Sequence, residues 1–236
     1  MSHIKPQECI LRASGVVKNF QTNSVVTHVL HGIDLEVMEG EFIAIMGKSG
    51  AGKSTLLYQL SLLDMPTRGT ISFKNHVVSD DSEVDKTRFR LEHFGFVFQD
   101  YALFPELTAI ENIAFPLMMR GMTNDEAYNR AAKVLRDLSL FEQADKLPSR
   151  MPGGQQQRIS IARAIAGHPD ILFADEPTAN LDSVSSDEVM SLFLEEHKSG
   201  RTIIMVTHEP EYAELASRVI TVSDGKIVSD KHRRSK

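Results

Sequence analysis

Only one of the 236 residues, Cys9, is a cysteine, so no internal disulfide can form, which agrees with a reducing compartment. Long apolar runs are missing as well. The longest lie within EFIAIM (41–46) and TIIMV (202–206), far short of the roughly 20 residues a membrane-spanning helix needs. No positively charged start leads into an apolar signal segment, and the chain is expected to stay in the cytoplasm. Positive charge is also scarce: 26 Lys and Arg stand against 32 Asp and Glu, a net charge of −6. That balance argues against general nucleic-acid binding. The one basic cluster, KHRRSK (231–236), reads as a solvated terminus, with contact to anionic lipid headgroups as the second reading. No internal repeat or long linker interrupts the chain, so one domain over 1–236 is expected, long enough for a single large core.

What is present alternates between strand and helix. Residues 10–17 and 25–37 read as strands, EFIAIM as a short buried strand, and GKSTLLYQLSLL after it as a helix. TISFK and HVV flank Asn75 as a hairpin, and FGFVFQ (94–99) is a further strand. The segment 123–140 opens with a capping box, Thr123 with Glu126, and puts Ala127, Ala131, Val134, Leu135 and Leu138 on one face. DILFA (170–174) and TIIMV are buried strands with a helix between them, and a hairpin turns at Asp224-Gly225. The alternation predicts an α/β fold with a mostly parallel sheet. The helical middle reads as an insertion: a core of about 1–98 and 164–236, and a helical subdomain of about 99–163.

GKSGAGKST (47–55) fits G-x-x-x-x-G-K-[ST] between a predicted strand and a predicted helix. Gly47, Gly50 and Gly52 let the backbone curl so that N–H groups, with those of Lys48, Ser49, Ala51 and Thr55, surround phosphate oxygens at a helix start. Lys53 would reach the β- and γ-phosphates and Ser54 would offer its hydroxyl to Mg²⁺. ILFADEP (171–177) is an apolar strand ending in two carboxylates. Asp175 can hold Mg²⁺ through a water, and Glu176, pointing to the other side of the chain, can polarise an attacking water.

SRMPGGQQQRISIARAI (149–165) begins with a break and continues as a helix. Pro152 stands where a backbone N–H and a hydroxyl would serve an anion, and proline has neither.

Together with Gln99, ANLD (179–182) and His208 in MVTHEP, these motifs make the chain resemble the ATP-binding subunits of ATP-binding cassette transporters, over about residues 10–230. The resemblance implies a P-loop NTPase (RecA-like) core, an antiparallel N-terminal β subdomain and an inserted helical subdomain. It also implies an ATPase that binds ATP and Mg²⁺. Gln99 would touch Mg²⁺ and the attacking water, His208 would contact the γ-phosphate and hold Glu176, and Phe20 would stack on adenine. Asn180 and Asp182 would meet a partner subunit. Pro152, Gly153, Gly154 and Gln155 would face the nucleotide of the opposite copy, so that two chains sandwich two ATP head to tail. The homodimer would sit on the cytoplasmic face of the inner membrane and energise separate membrane permease subunits. Tyr101, Leu103, Phe104 and Leu107 would offer an apolar floor for such a subunit. LLDMPTRGTISF, GFVFQ and PTANLD look most like the lipoprotein-release, macrolide-exporter and cell-division subgroup.

The family pattern L-S-G-G-Q is here Met151-Pro152-Gly153-Gly154-Gln155, so a serine hydroxyl is absent. Proline suits a first helical turn, but a donor to an anion is lost, worth about 1.5–3 kcal/mol. Slower turnover is expected, not inactivity. The alternative is an ATP-gated structural or signalling module with slow hydrolysis.

Overall fold

A computed structural model describes residues 8–22 and 25–233. In chain order its elements begin with β1 (Cys9–Thr22), β2 (Val25–Met38), β3 (Phe42–Met46), α1 (Lys53–Leu60), β4 (Arg68–Phe73) and β5 (His76–Val77). They continue with α2 (Glu83–His93), β6 (Phe94–Val97), α3 (Ala109–Met119), α4 (Asn124–Asp137) and α5 (Gly153–Ala166). The last are β7 (Ile171–Asp175), α6 (Ser183–Lys198), β8 (Thr202–Val206), α7 (Pro210–Ala213), β9 (Arg218–Ser223) and β10 (Lys226–His232). Contacts gather these into two compact units, one made of the residues up to Lys86 with those from Glu196 onward, the other of Thr87–Glu195.

In the first unit an antiparallel sheet has the order β2-β1-β4-β5. Leu11 and Ala13 of β1 and Ile33, Leu35 and Val37 of β2 are buried at the period-2 spacing of a sheet with one covered face, and a register shift between Ala13 and Val16 returns buried Val16 opposite Ile33. The β4–β5 hairpin turns at Lys74-Asn75, with Lys74 at φ 52. A second set of strands runs β10-β9-β3-β8. Here β3 lies between β8 and β9 and is parallel to both. Strands covered on both faces lose the alternation of polar residues, which is why Phe42–Ile45 and Ile203–Val206 are continuous apolar runs at 0% exposure. β9 and β10 join antiparallel through Asp224-Gly225, both at positive φ, as a two-residue hairpin turn requires. Lys231 and His232, read from sequence as part of a solvated tail, are exposed and extend β10 opposite Val219 and Arg218. Residues 234–236 of that basic cluster lie outside the described residues.

In the second unit β6 is parallel to β7, and α3, α4 and α5 pack on one another. Two of these helices start with capping boxes, Thr108 with Glu111 and Thr123 with Glu126. Ala127, Ala131, Val134 and Leu135 of α4 are buried as the periodicity predicts. Leu138 is the C-cap, not part of that face. β6 stops at Val97, short of the predicted Gln99, because the chain turns back there: the Tyr101 N–H donates to the Phe98 carbonyl, and Tyr101 and Ala102 take positive φ. Helix α2 had no sequence expectation, since EVDKTRFRLEH is too polar for a clear apolar stripe.

Candidate functional site

The phosphate loop links β3 to α1 in the first unit. Gly47 sits at φ 153, and a Cβ there would come within 2.1 Å of the Val222 carbonyl oxygen on β9. Gly52, at φ 99, is the N-cap of α1, and no side chain among the described residues caps that start. A helix start without a side-chain cap is the kind of place that takes an anionic ligand. The Lys53 ammonium folds back and donates to the Lys48 carbonyl at 3.3 Å, so its charge stays over the loop. The loop is held from outside by the β9–β10 turn. The Gly225 N–H donates to the Ala51 carbonyl, and the Gly225 carbonyl accepts from the His31 N–H. Lys48, Ser49 and Gly50 form its exposed rim, while Ser54 and Thr55 are half-buried in the first helical turn.

Parallel pairing decides what else shares that end of the unit. Ile45 of β3 is level with Val206 of β8, and the Thr207 N–H donates to the Ile45 carbonyl. His208 therefore leaves β8 at the same edge at which Gly47 leaves β3, and it is exposed. Phe20, on β1 opposite Thr27, is 44% exposed with the Lys18 ammonium 4.9 Å from its ring centre.

The second unit repeats this logic. Val97 of β6 is level with Ala174 of β7, so Gln99 and the Asp175-Glu176 pair leave their strands at one end. Asp175 is only 5% exposed and Gln99 is open. Glu176 has φ 47, a left-handed conformation that costs a non-glycine residue of order 1–3 kcal/mol. Beyond it the chain folds tightly, with Ala179 N–H donating to the Glu176 carbonyl and Leu181 N–H to that of Thr178. Asp182 then caps α6, accepting from the Ser185 backbone N–H and hydroxyl at 3.0 and 2.9 Å. The Ser185 backbone hydrogen bond, followed by that of its hydroxyl, holds the Asp182 carboxyl below the usual aspartate range.

Pro152 is the N-cap of α5, extended, with no side-chain capping bond among the described residues. Gly153 and Gly154 follow at ordinary negative φ. Their role is spatial: a Cβ on Gly153 would lie 2.7 Å from the Tyr101 hydroxyl oxygen, and one on Gly154 would lie 2.6 Å from the Ser185 hydroxyl oxygen. An open cavity of about 360 Å³ lies at this helix start, with Gln155, Arg158, Asn180 and Asp182 also on its walls. Tyr101, predicted to line a docking floor, is half-buried against Gly153. Burial raises its pKa. The Arg163 guanidinium holds the carbonyls of Ala102 and Tyr101 at 2.5 and 3.1 Å, and burial brings its own pKa down to about 10. Phe104 is exposed and packs edge-on to Phe115.

Sequence reasoning gave no sign of Ser185, Arg158 or Arg163. A serine three residues after an aspartate signals a helix cap, and a lone arginine on a helix signals a solvated face. For Mg²⁺ the hydroxyl of Ser54, the carboxylate of Asp175 and the amide oxygen of Gln99 are hard oxygen donors of the kind that ion takes. No group of three His, Cys, Asp or Glu able to hold a metal occurs among the described residues.

Residues 30–179 match the ABC transporter family. The lipoprotein-releasing system ATP-binding protein LolD of Aquifex aeolicus is 44% identical over 221 residues, covering 94% of this chain and 97% of that protein. The macrolide export ATP-binding/permease protein MacB of an Azoarcus species is 45% identical over 221 residues, or 94% of this chain. The chain spans only 34% of that protein's length. Among solved structures, the dimeric post-hydrolysis state of the ATP-binding cassette MJ0796 bound to ADP and Pi aligns with a TM-score of 0.89 at 35% identity. That alignment covers 96% of this chain and all of the other.

Proposed function

The chain belongs to the ABC transporter family, and we propose that it hydrolyses ATP as the energising subunit of a membrane complex, with Lys53, Asp175 and Glu176 at the centre of the chemistry. It has the family's α/β P-loop fold, with a mixed sheet, an antiparallel β part and a helical part, the last expected at about 99–163. No helix among the described residues is long and apolar enough to cross a membrane. In this reading the spanning part belongs to separate permease subunits, and the chain works as a head-to-tail dimer on the cytoplasmic face of the membrane.

The observation that carries the reading is the phosphate loop, with its uncapped helix start and the Lys53 charge folded over it. Residues 47–55 take the phosphates of ATP, and Phe20 stacks on adenine. Ser54, Asp175 and Gln99 would hold Mg²⁺, which supplies charge neutralisation at the β- and γ-phosphates. Glu176 accepts the proton of the water that attacks the γ-phosphorus, and the bond to the ADP oxygen breaks. His208 contacts the γ-phosphate and steadies Glu176. Pro152, Gly153, Gly154 and Gln155 face the ATP of the partner copy.

Substituting Glu176→Gln keeps shape and removes the base, so steady-state hydrolysis is expected to fall by tenfold or more while ATP still binds. Parental turnover in that variant would remove Glu176 from the role. The second reading, an ATP-gated module with slow hydrolysis, is favoured by one observation: Pro152 starts α5 without a donor side chain. Turnover by the unaltered chain separates the two.

A further inference from the structure

Gln157 stands one turn into α5, on the same side as Gly153 and Gly154 by helical spacing. Its side chain is fully buried. The amide nitrogen donates to the Pro177 carbonyl at 2.7 Å and, at a longer 3.4 Å, to the Phe98 carbonyl. Phe98 immediately precedes Gln99, and Pro177 immediately follows Glu176. One amide thus ties together the chain beyond β6, the chain beyond β7 and the helix that starts at Pro152.

The other end of that amide has no such satisfaction. Gln157 Oε1 is buried without a hydrogen-bond partner among the described residues. Turning the amide over would set its oxygen against two carbonyl oxygens, so the orientation is fixed by its acceptors. A buried unpaired acceptor is destabilising and offsets part of what the two donated bonds contribute. What the side chain supplies here is its two carbonyl contacts, which hold the peptides on either side in place. A second tether lies nearby: the Asn180 side-chain amide donates to the Gln99 carbonyl at 3.0 Å.

We propose that Gln157 is a positioning residue for ATP hydrolysis, clamping the peptides beside Gln99 and Glu176 with Asn180 as the outer tie. The inference rests on the roles given to Gln99 and Glu176 above. Because the clamp is rooted in α5, a movement of that helix start is carried to both residues.

The test uses the full chain, measuring steady-state ATP hydrolysis, equilibrium binding of a fluorescent ATP analogue and thermal melting. Gln157→Met keeps the volume and removes both donors. Its kcat is expected to fall by about tenfold to a hundredfold, the scale of a small misplacement at a reacting centre. KM and nucleotide affinity stay within about twofold of the parent, because the phosphate loop is untouched. Added to Glu176→Gln, the same substitution slows hydrolysis no further, as expected of residues acting as one unit. Asn180→Ala gives a smaller fall, roughly threefold, at unchanged KM. A parental kcat in Gln157→Met overturns the clamp, and so does a fall matched by lost nucleotide affinity. Should Gln157→Met not fold, a parental kcat in Asn180→Ala overturns it, since that side chain is exposed and its loss leaves the core intact. If Glu176→Gln itself hydrolyses at the parental rate, the underlying reading has failed, whatever Gln157 does.

Discussion

At Gly47 an added Cβ would run into a strand carbonyl 2.1 Å away, whereas at Gly154 it would meet a serine hydroxyl at 2.6 Å and that serine's Cβ at 2.8 Å. Both glycines stand close to a helix start in a glycine-rich segment, and by sequence they look alike. The obstacle at Gly47 is backbone inside a sheet and cannot yield. The obstacle at Gly154 is a side chain on the first turn of α6. Conformation separates them too, since Gly47 has positive φ and Gly154 does not. The phosphate loop is therefore fixed by its main chain, while the start of α5 is fitted by side chains that other side chains can replace.

The substitution that strains this comparison most is Gly47→Ala. It is expected to destabilise the fold by about 3 kcal/mol or more, through strain at a special φ and overlap with backbone, and to abolish ATP binding. A melting curve and an equilibrium binding titration read both. A variant that melts within about 2 °C of the parent with ATP bound would mean the loop yields after all.

Gly154→Ala is next, with an expected cost of about 1–3 kcal/mol from overpacking. Pairing it with Ser185→Gly should restore at least half of the lost melting temperature. No recovery would place the obstacle in the backbone and erase the distinction from Gly47.

The smallest effect is expected of Pro152→Ser. A serine N-cap should stabilise α5 by about 1 kcal/mol. The restored hydroxyl should also raise hydrolysis, by roughly threefold, or about 0.6 kcal/mol of barrier. Melting and steady-state turnover measured on one preparation check the pair. An unchanged rate with a raised melting temperature would mean the cavity at this helix start already supplies what the hydroxyl would add.

Much of this organisation was legible beforehand because it is local. The capping box at Thr123, the turn at Asp224-Gly225 and the buried runs of β3 and β8 are all determined by residues within a few positions of one another. Lys53, Asp175 and Glu176 were legible as a motif set. What stayed hidden depends on distant partners. Gln157 reads as one of three successive glutamines until its carbonyl acceptors 59 and 20 residues away are seen. Ser185 reads as a cap until Gly154 is placed against it. Helix α2 escaped because its polar sequence carries almost no apolar stripe, and Lys86 is its only buried residue.

The left-handed backbone at Glu176 has a genetic consequence. Glycine adopts φ 47 without the penalty a glutamate meets there, and a single base change converts a glutamate codon into a glycine codon. Relief of that backbone penalty therefore offsets part of what losing the carboxylate costs the fold. A lineage that stopped using hydrolysis would shed the base readily and keep a well-folded nucleotide-binding protein in its place.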